Sequence, residues 1–489
     1  MSVATATSVY EKYETVIGLE THVQLSTLSK AFCGDDITFG AAPNTHISAI
    51  SLAYPGTLPK TNARQIEFAI RLGLALGCQI NLNNQFDRKN YFYADLPKGY
   101  QTTQDCQPIC IGGKVDIWVN GIQKSIRLHH IHMEEDAGKS IHDIDKKYSL
   151  IDLNRAGTPL LEIVSEPDLR SADEVDAFMT TIRQLVRYLE ISDGNMEQGS
   201  LRCDCNVSVR LKGAAKYGQR CEIKNLNSMR FARQAINYEA KRQIDWIEKG
   251  GTIEQQTLNF DPETGKTSPL RSKENAHDYR YFPEPDLLPM RISEEYLKEI
   301  ERAMPPLPDF FRQKFTATYQ LPTQDVQILI EEKSVALFFE ALCQQTNAHK
   351  TAANVVINKV LPYLKETQTN FNDFPLTVVQ LAELIQLIEQ QKVSSSVVYN
   401  QLFPALISQP EQSAHALAAH LNLLQNSDTD FLQQMVDSIL NANPEELKAY
   451  RKGKKALVGF FMGELMKASK GKANPQEAKK ILIDALDQK

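Results

Sequence analysis

Apolar and polar residues alternate with period two along several segments of the first three hundred residues. Each such segment predicts a strand whose side chains divide into two rows. In "TVIGLETHVQL" Ile17, Leu19, Thr21, Val23 and Leu25 form a core row, and Glu20, His22 and Gln24 lie opposite. In "SLRCDCNVSVRL" the apolar row is Leu201, Cys203, Cys205, Val207, Val209 and Leu211, against Arg202, Asp204, Asn206, Ser208 and Arg210. "PLLEIVSE" sets Glu162 in an apolar run, and "CEIKNLN" puts Glu222 and Lys224 opposite Cys221 and Ile223. The period lengthens in "SADEVDAFMTTIRQLVRYLEI", where Val175, Phe178, Met179, Ile182, Leu185, Val186 and Leu189 make one helical stripe and Ser171 with Glu174 reads as a capping box. This helix should cover a sheet. Beyond "RYFPEPDLLP", where Pro283, Pro285 and Pro289 oppose regular structure, helical patterns dominate from Glu294 onward. The expected organisation is α+β: an antiparallel-sheet domain over residues 1–292, an all-α domain over 293–412, and a small α-helical tail over 413–489. Breaks are expected around Pro375 and Pro410.

A chain of 489 residues exceeds what one hydrophobic core usually organises, which agrees with several domains. There is no unbroken apolar run of about 18 residues, and the start "MSVATATSVYEKYETV" lacks a signal peptide's charged and apolar regions. The expectation is a cytoplasmic protein that does not associate with membranes. Its eight cysteines are sparse for such a length, and their closest spacings miss Cys-x-x-Cys, so reduced thiols are expected. A formal charge of −6 opposes wholesale electrostatic binding to nucleic acid but permits a local basic patch.

The polar rows change the picture more than composition does. One polar row alone reads as the solvent face of an antiparallel strand. Here Asp, Asn, His and Arg recur across several strands, although Asp and Asn are poor strand formers. Carboxylates with an imidazole suit a divalent cation, and Arg and Lys suit anionic oxygens, a combination that fits a metal-bound triphosphate. The stretch "HMEEDAGKS" ends as a phosphate-binding loop does, but Met133 stands where that loop needs a second glycine. Glu135, with Glu134 as a second acid, is therefore expected to complete a cation site with His22, Glu162 and Glu20. The carboxylates and the lack of thiolate favour a hard cation such as Mg²⁺ over zinc.

The segments "ETVIGLETHVQL", "FDRKNYFYADLPKGYQ", "HMEEDAGKS", "DLNRAGTPLLEIVSEPD", "DGNMEQGSLRCDCNVSVR", "EIKNLNS" and "DYRYFPEPDLLP", with the tail "KALVGFFMGELMKASKGKANP", resemble in order the B subunits of glutamyl/aspartyl-tRNA amidotransferases. The resemblance implies a cradle domain related in architecture to glutamine synthetase, a helical domain and a tail domain. It further implies ATP-dependent phosphorylation of the side-chain carboxylate of Glu on tRNA(Gln) or Asp on tRNA(Asn), followed by amidation with ammonia. By resemblance His22, Glu135 and Glu162 hold Mg²⁺ with Glu20 close by, these four forming the catalytic set. Arg202, Asp204, Asn206 and Lys224 are assigned to ATP phosphates or metal-bound water. No Gly-x-Ser-x-Gly elbow or other glutaminase nucleophile is apparent in the sequence. The family obtains ammonia from a separate amidase-type glutaminase, its A subunit, and a small C subunit completes a heterotrimer. The loops around "YADLPKGYQTTQ" are channel or interface candidates.

Many members carry four zinc-binding cysteines near the start; the matching positions here are Cys33, Asp35, Ser48 and Ser51, so no structural zinc is expected. Gln198 and Cys205 also depart from the usual residues. In the tail, Arg451, Lys452, Lys454, Lys455, Lys467, Lys470 and Lys472 surround an apolar helix. They read either as a solvated face or, by resemblance, as a tRNA-backbone contact. Two other readings stay open: a non-catalytic tRNA-binding scaffold, and a free-standing ATP-dependent ligase acting on a small molecule.

Overall fold

A computed structural model describes residues 9–142, 144–270, 279–424, 429–469, 473 and 475–487. The chain divides into two compact units, 1–308 and 309–489.

The first unit is built on a ten-stranded sheet. Its path runs Lys266–Pro269, Gln256–Asp261, Cys221–Leu226, Leu201–Leu211, Tyr13–Gln24, Pro159–Ser165, Ile122–Glu135, Cys110–Ile111 and Gln79–Ile80, with Lys114–Val119 paired beside Ile122–Glu135. The sheet is mixed: its pairings are antiparallel except that Cys221–Leu226 runs parallel to Gln256–Asp261. A parallel pair needs a crossover, and the helix Met229–Glu248 supplies it.

The apolar rows read from the sequence form one core face. Ile17, Leu19, Val23, Cys203, Cys205 and Ile223 are buried there with Phe178, Met179 and Ile182 of the helix Ala172–Tyr188. Three helices, Ala63–Ala75, Ala172–Tyr188 and Met229–Glu248, pack against the strands, each started by a short polar residue that accepts a backbone N–H: Asn62 from Arg64, Ser171 from Glu174, Ser228 from Phe231. The expected Ser171–Glu174 box is half formed. Ser171 Oγ accepts from Glu174 N at 3.2 Å, but the Glu174 carboxylate accepts from Arg170 N at 2.6 Å and from Lys124 Nζ at 2.8 Å. A cation within reach outcompetes the reciprocal cap.

The proline-rich stretch is more regular than its prolines suggest. Phe282–Pro283 pairs with the Asp87–Asn90 strand and Met290–Arg291 with Asn83–Asn84, pairs short enough for proline to sit at an edge.

The second unit is helical among its described residues. The helix Leu361–Thr367 ends before Pro375 and Phe403–Ser408 before Pro410, and new helices begin after the caps Thr377 and Ser413. The π-helical turns Val356–Val360 and Val398–Leu402 lie just before Pro362 and Pro404, where the missing proline N–H breaks the regular ladder. The last helices, from Thr429 onward, gather around Leu432, Val436, Phe461, Leu465, Leu482 and Leu486. No helix of the described residues is long and apolar enough to cross a membrane.

Candidate functional site

Antiparallel register assembles the site. Arg202 pairs with His22, His22 with Glu162 and Glu162 with His132, so four polar side chains from four adjacent strands stand in one rung. The next rung pairs Asp204 with Glu20, and Asn206 stands beside Glu222 one rung further along. Because side chains alternate along each strand, all of these lie on the face opposite the core; the register shift between the Cys203 and Cys205 pairings falls beyond Glu222.

Two groups of acids form on this face. His22 Nε2 lies 3.3 Å from Glu162 Oε2 and 3.7 Å from Glu134 Oε1. His132 Nε2 approaches the same two carboxylates, at 3.4 Å and 3.7 Å. In the second group, Glu20 accepts from Asn206 Nδ2 at 3.1 Å, while Lys224 Nζ stands 3.2 Å from Asp204 and 2.9 Å from Glu222. In each of the sets His22–Glu134–Glu162 and Glu20–Asp204–Glu222, one ligand atom per residue lies within 4.8 Å of the others, a spacing suited to a divalent cation.

The electrostatics follow from crowding. Burial disfavours a charged His22, but Glu162 and Glu134 outweigh it and lift its pKa to about 9. Burial also works against ionised Glu162, yet His132, His22 and Lys89 hold its carboxyl well below the ordinary range. Glu20 goes the other way: burial, then Glu162, Glu222 and Asp204, push its carboxyl up. Glu20, Asp204 and Glu222 together outnumber Lys224, and this local excess of acid favours added positive charge.

Glu135 and Glu134 face opposite ways. Glu134 is 2 % exposed, joins His22 and Glu162, and accepts from Gln101 Nε2 at 2.9 Å. Glu135 turns to the other side of the strand, where it pairs with Lys98 and accepts from Thr102 N at 3.0 Å. The expected set of Glu20, His22, Glu135 and Glu162 is thus not brought together as one cluster: Glu134 occupies the position beside His22 and Glu162, and Glu20 lies with Asp204 and Glu222. Arg202 is held by Asp136 at 2.7 Å, and Asp136 also accepts from Gln24 Nε2 at 2.6 Å. "AGKS" forms no phosphate loop: Lys139–Ile141 is a strand paired with Leu150–Asp152, and a Cβ at Gly138 would meet the carbonyls of Asp95 and Asp152 at 2.9 Å.

On the Glu135 side lies a cavity of about 200 Å³ whose lining includes Lys30, Tyr54, Lys98, Tyr100, Glu135 and Asp136. Beside it Cys33, Asp35 and Ser51 do come together, with Ser51 donating to Asp35 and lying 3.5 Å from Cys33 Sγ. The buried Lys30 ammonium reaches Ser51 Oγ at 3.4 Å and the carbonyls of His46 and Leu153 at 2.7 and 3.2 Å. A donor set with one thiol, one carboxylate and an ammonium against it does not fit a structural zinc.

In the tail, Lys452, Lys454, Lys455 and Lys467 are exposed, and Lys455 pairs with Asp487 at 2.6 Å. Lys470 and Lys472 lie outside the described residues.

Acids, imidazoles and cations thus stand together across one rung of the sheet, on the face away from the buried core. The model of the GatB/GatE catalytic domain matches residues 15–298, and that of the GatB domain matches 337–486. The chain is 45% identical over 479 residues to the B subunit of the aspartyl/glutamyl-tRNA(Asn/Gln) amidotransferase of Persephonella marina, covering 97% of this chain and 100% of that one. It is 47% identical over 482 residues to the B subunit of the same name from Geotalea uraniireducens and 48% identical over 477 residues to that from Chlorobium limicola, with 97% of this chain and 100% of the relative covered in each case. The chain belongs to the family of aspartyl/glutamyl-tRNA(Asn/Gln) amidotransferase B subunits. It is one component of an amidotransferase, an enzyme of the ligase class.

Proposed function

We propose that this chain transfers the γ-phosphoryl group of ATP to the side-chain carboxylate of Glu on tRNA(Gln) or Asp on tRNA(Asn), and then directs ammonia onto the acyl phosphate to form the amide. The observation that carries this reading is the rung of His22, Glu162 and His132 with Glu134 beside it. A carboxylate is a poor acyl donor because oxide would have to leave; phosphorylation makes the leaving group phosphate. The protein's work is then positioning and charge neutralisation.

The residues present fit Mg²⁺: Glu134 and Glu162 would hold one ion with His22, which would give up its proton to do so, and Glu20, Asp204 and Glu222 would suit another once Lys224 moved off Asp204 and Glu222. When bound, such an ion neutralises charge on the phosphates. Arg202 and Lys224, at the two ends of the acid face, are assigned to phosphate oxygens, with Asn206 keeping Glu20 oriented. The buried core row holds the strands in register and so fixes these positions.

Ammonia comes, in this reading, from an amidase-type glutaminase partner, the A subunit, with a small C subunit completing a heterotrimer. The segment 93–104, which includes the strand Tyr100–Thr103, is assigned to the ammonia route or the partner contact, because Leu96, Pro97, Lys98 and Tyr100 line the cavity behind Glu135. The division of the helical part into 293–412 and a tRNA-binding tail over 413–489, carrying Lys452, Lys454, Lys455, Lys467, Lys470 and Lys472, belongs to the same proposal, as does a cytoplasmic location. The test uses the complex with its partners, γ-labelled ATP, charged tRNA and no ammonia source. Hydroxylamine should trap a hydroxamate on the charged tRNA; its absence with both Glu-tRNA(Gln) and Asp-tRNA(Asn) would reject the phosphorylation step.

A further inference from the structure

The other cations around the acid face, including Arg202 and Lys224 assigned above to phosphate oxygens, carry ion pairs in this structure. Arg202 is taken by Asp136, Lys224 by Asp204 and Glu222, and Lys98 by Glu135. Lys89 differs. It lies on the short strand Asp87–Asn90, and among the described residues it makes no ion pair with any carboxylate. Its neighbour Arg88 turns to the opposite side and is held by Glu284 through two bonds of 2.8 and 2.7 Å.

Three features set the surroundings of Lys89. It pairs across the strand with Gln101, whose side-chain amide donates to Glu134 at 2.9 Å. Its ammonium stands 5.0 Å from the ring centroid of Tyr279, in a row where Tyr279 touches both Tyr91 and Tyr281 with centroids 6.0 Å apart. The tyrosine segment is tethered, since Asn90 Nδ2 donates to the carbonyls of Tyr279 and Arg280 at 3.2 and 2.9 Å.

We propose that Lys89 contacts the phosphoryl group as it passes from ATP to the substrate carboxylate, a role that rests on the function proposed above. In that step a carboxylate oxygen bonds to the γ-phosphorus while the bond to the bridging oxygen breaks, and the electron pair leaves with ADP. No proton moves, and Lys89 remains an ammonium throughout. A compact point charge on a flexible stem can follow the equatorial oxygens.

The experiment compares the whole complex carrying Lys89→Met or Lys89→Arg with the unaltered one, in single-turnover hydroxamate trapping with ammonia withheld. Lys89→Met should slow acyl phosphate formation by about 100-fold, with the nucleotide Kd and the Mn²⁺ affinity changed less than about threefold, and Lys89→Arg should recover part of the rate. Equal rates in Lys89→Met and the unaltered complex would overturn the proposal. So would a parallel loss of Mn²⁺ affinity and rate, which marks a support for Glu134 and nothing more. If Lys89→Met does not fold, Lys89→Gln takes its place under the same criteria. If the unaltered complex forms no hydroxamate, the underlying phosphorylation reading fails, an outcome distinct from either result at Lys89.

Discussion

Glu134 and Glu135 are adjacent in the chain and serve opposite sides of it: Glu134 lies 3.7 Å from His22 Nε2 on the acid face, and Glu135 pairs with Lys98 beside the cavity. Strand geometry alone imposes the division, since consecutive Cβ atoms point to opposite faces. The two acids therefore make separable predictions.

The first concerns a divalent cation. Mg²⁺ at a hundred times the Kd of the His22–Glu134–Glu162 site should stabilise the unaltered chain by about 2.7 kcal/mol through that site. Glu134→Gln or Glu162→Gln should abolish most of that gain in a thermal melt, while Glu135→Gln should retain it. Equal responses in all three variants would place the ion elsewhere.

A second prediction concerns pH. The hydrogen bond and charge of Arg127 hold the Asp168 carboxyl below its ordinary value, with bonds of 2.8 Å from both Nε and Nη2. A depressed folded pKa contributes stability above the unfolded value of about 3.9 and loses it as pH falls through the folded value. Asp168→Asn should therefore lower the melting temperature at pH 7 by roughly one to three degrees, and the gap should close in strong acid. A gap that persists unchanged at low pH would show that packing, not charge, carries the effect.

The thiols provide a third check. Burial pushes Cys221 up to about 11 and Cys343 up to about 12, so neither offers thiolate at pH 8. Cys106 is exposed and Cys33 partly so, whereas the other six cysteines are buried. A thiol reagent at pH 8 should modify Cys106 first and Cys33 more slowly, and should reach all eight only in denaturant. Early modification of Cys203 or Cys205 would contradict the assigned core row.

The tail yields a fourth. Alanine at Lys452, Lys454 and Lys467 together should weaken tRNA binding, and the slope of log K against log salt should fall by about 1 for each lost phosphate contact. ATP binding should not change. An unaltered salt slope would make these lysines a solvated face.

Much of the site was legible because it lies on strands. Period two sorted His22, Glu20, Arg202, Asp204, Glu222 and Lys224 onto polar rows, and those rows share one face of the sheet. The same rule, carried through "HIHMEED", places His132 and Glu134 in one row and Glu135 in the other; following it there would have found Glu134 directly. Lys89 carried no such signal, since its strand is four residues long and its approach to the acids depends on Gln101 and Tyr279 from other segments. The parallel pairing of Gln256–Asp261 was hidden for a similar reason, because strand direction is set by the crossover and not by alternation.

The most direct test of the acid face is single-turnover acyl phosphate formation, read as hydroxamate on charged tRNA, in complexes carrying Glu134→Gln or Glu135→Gln. Glu134→Gln should lose about 100-fold or more, and Glu135→Gln should form the acyl phosphate at close to the unaltered rate. Normal formation in Glu134→Gln together with loss in Glu135→Gln would contradict this, and would move the chemistry to the cavity side of the strand.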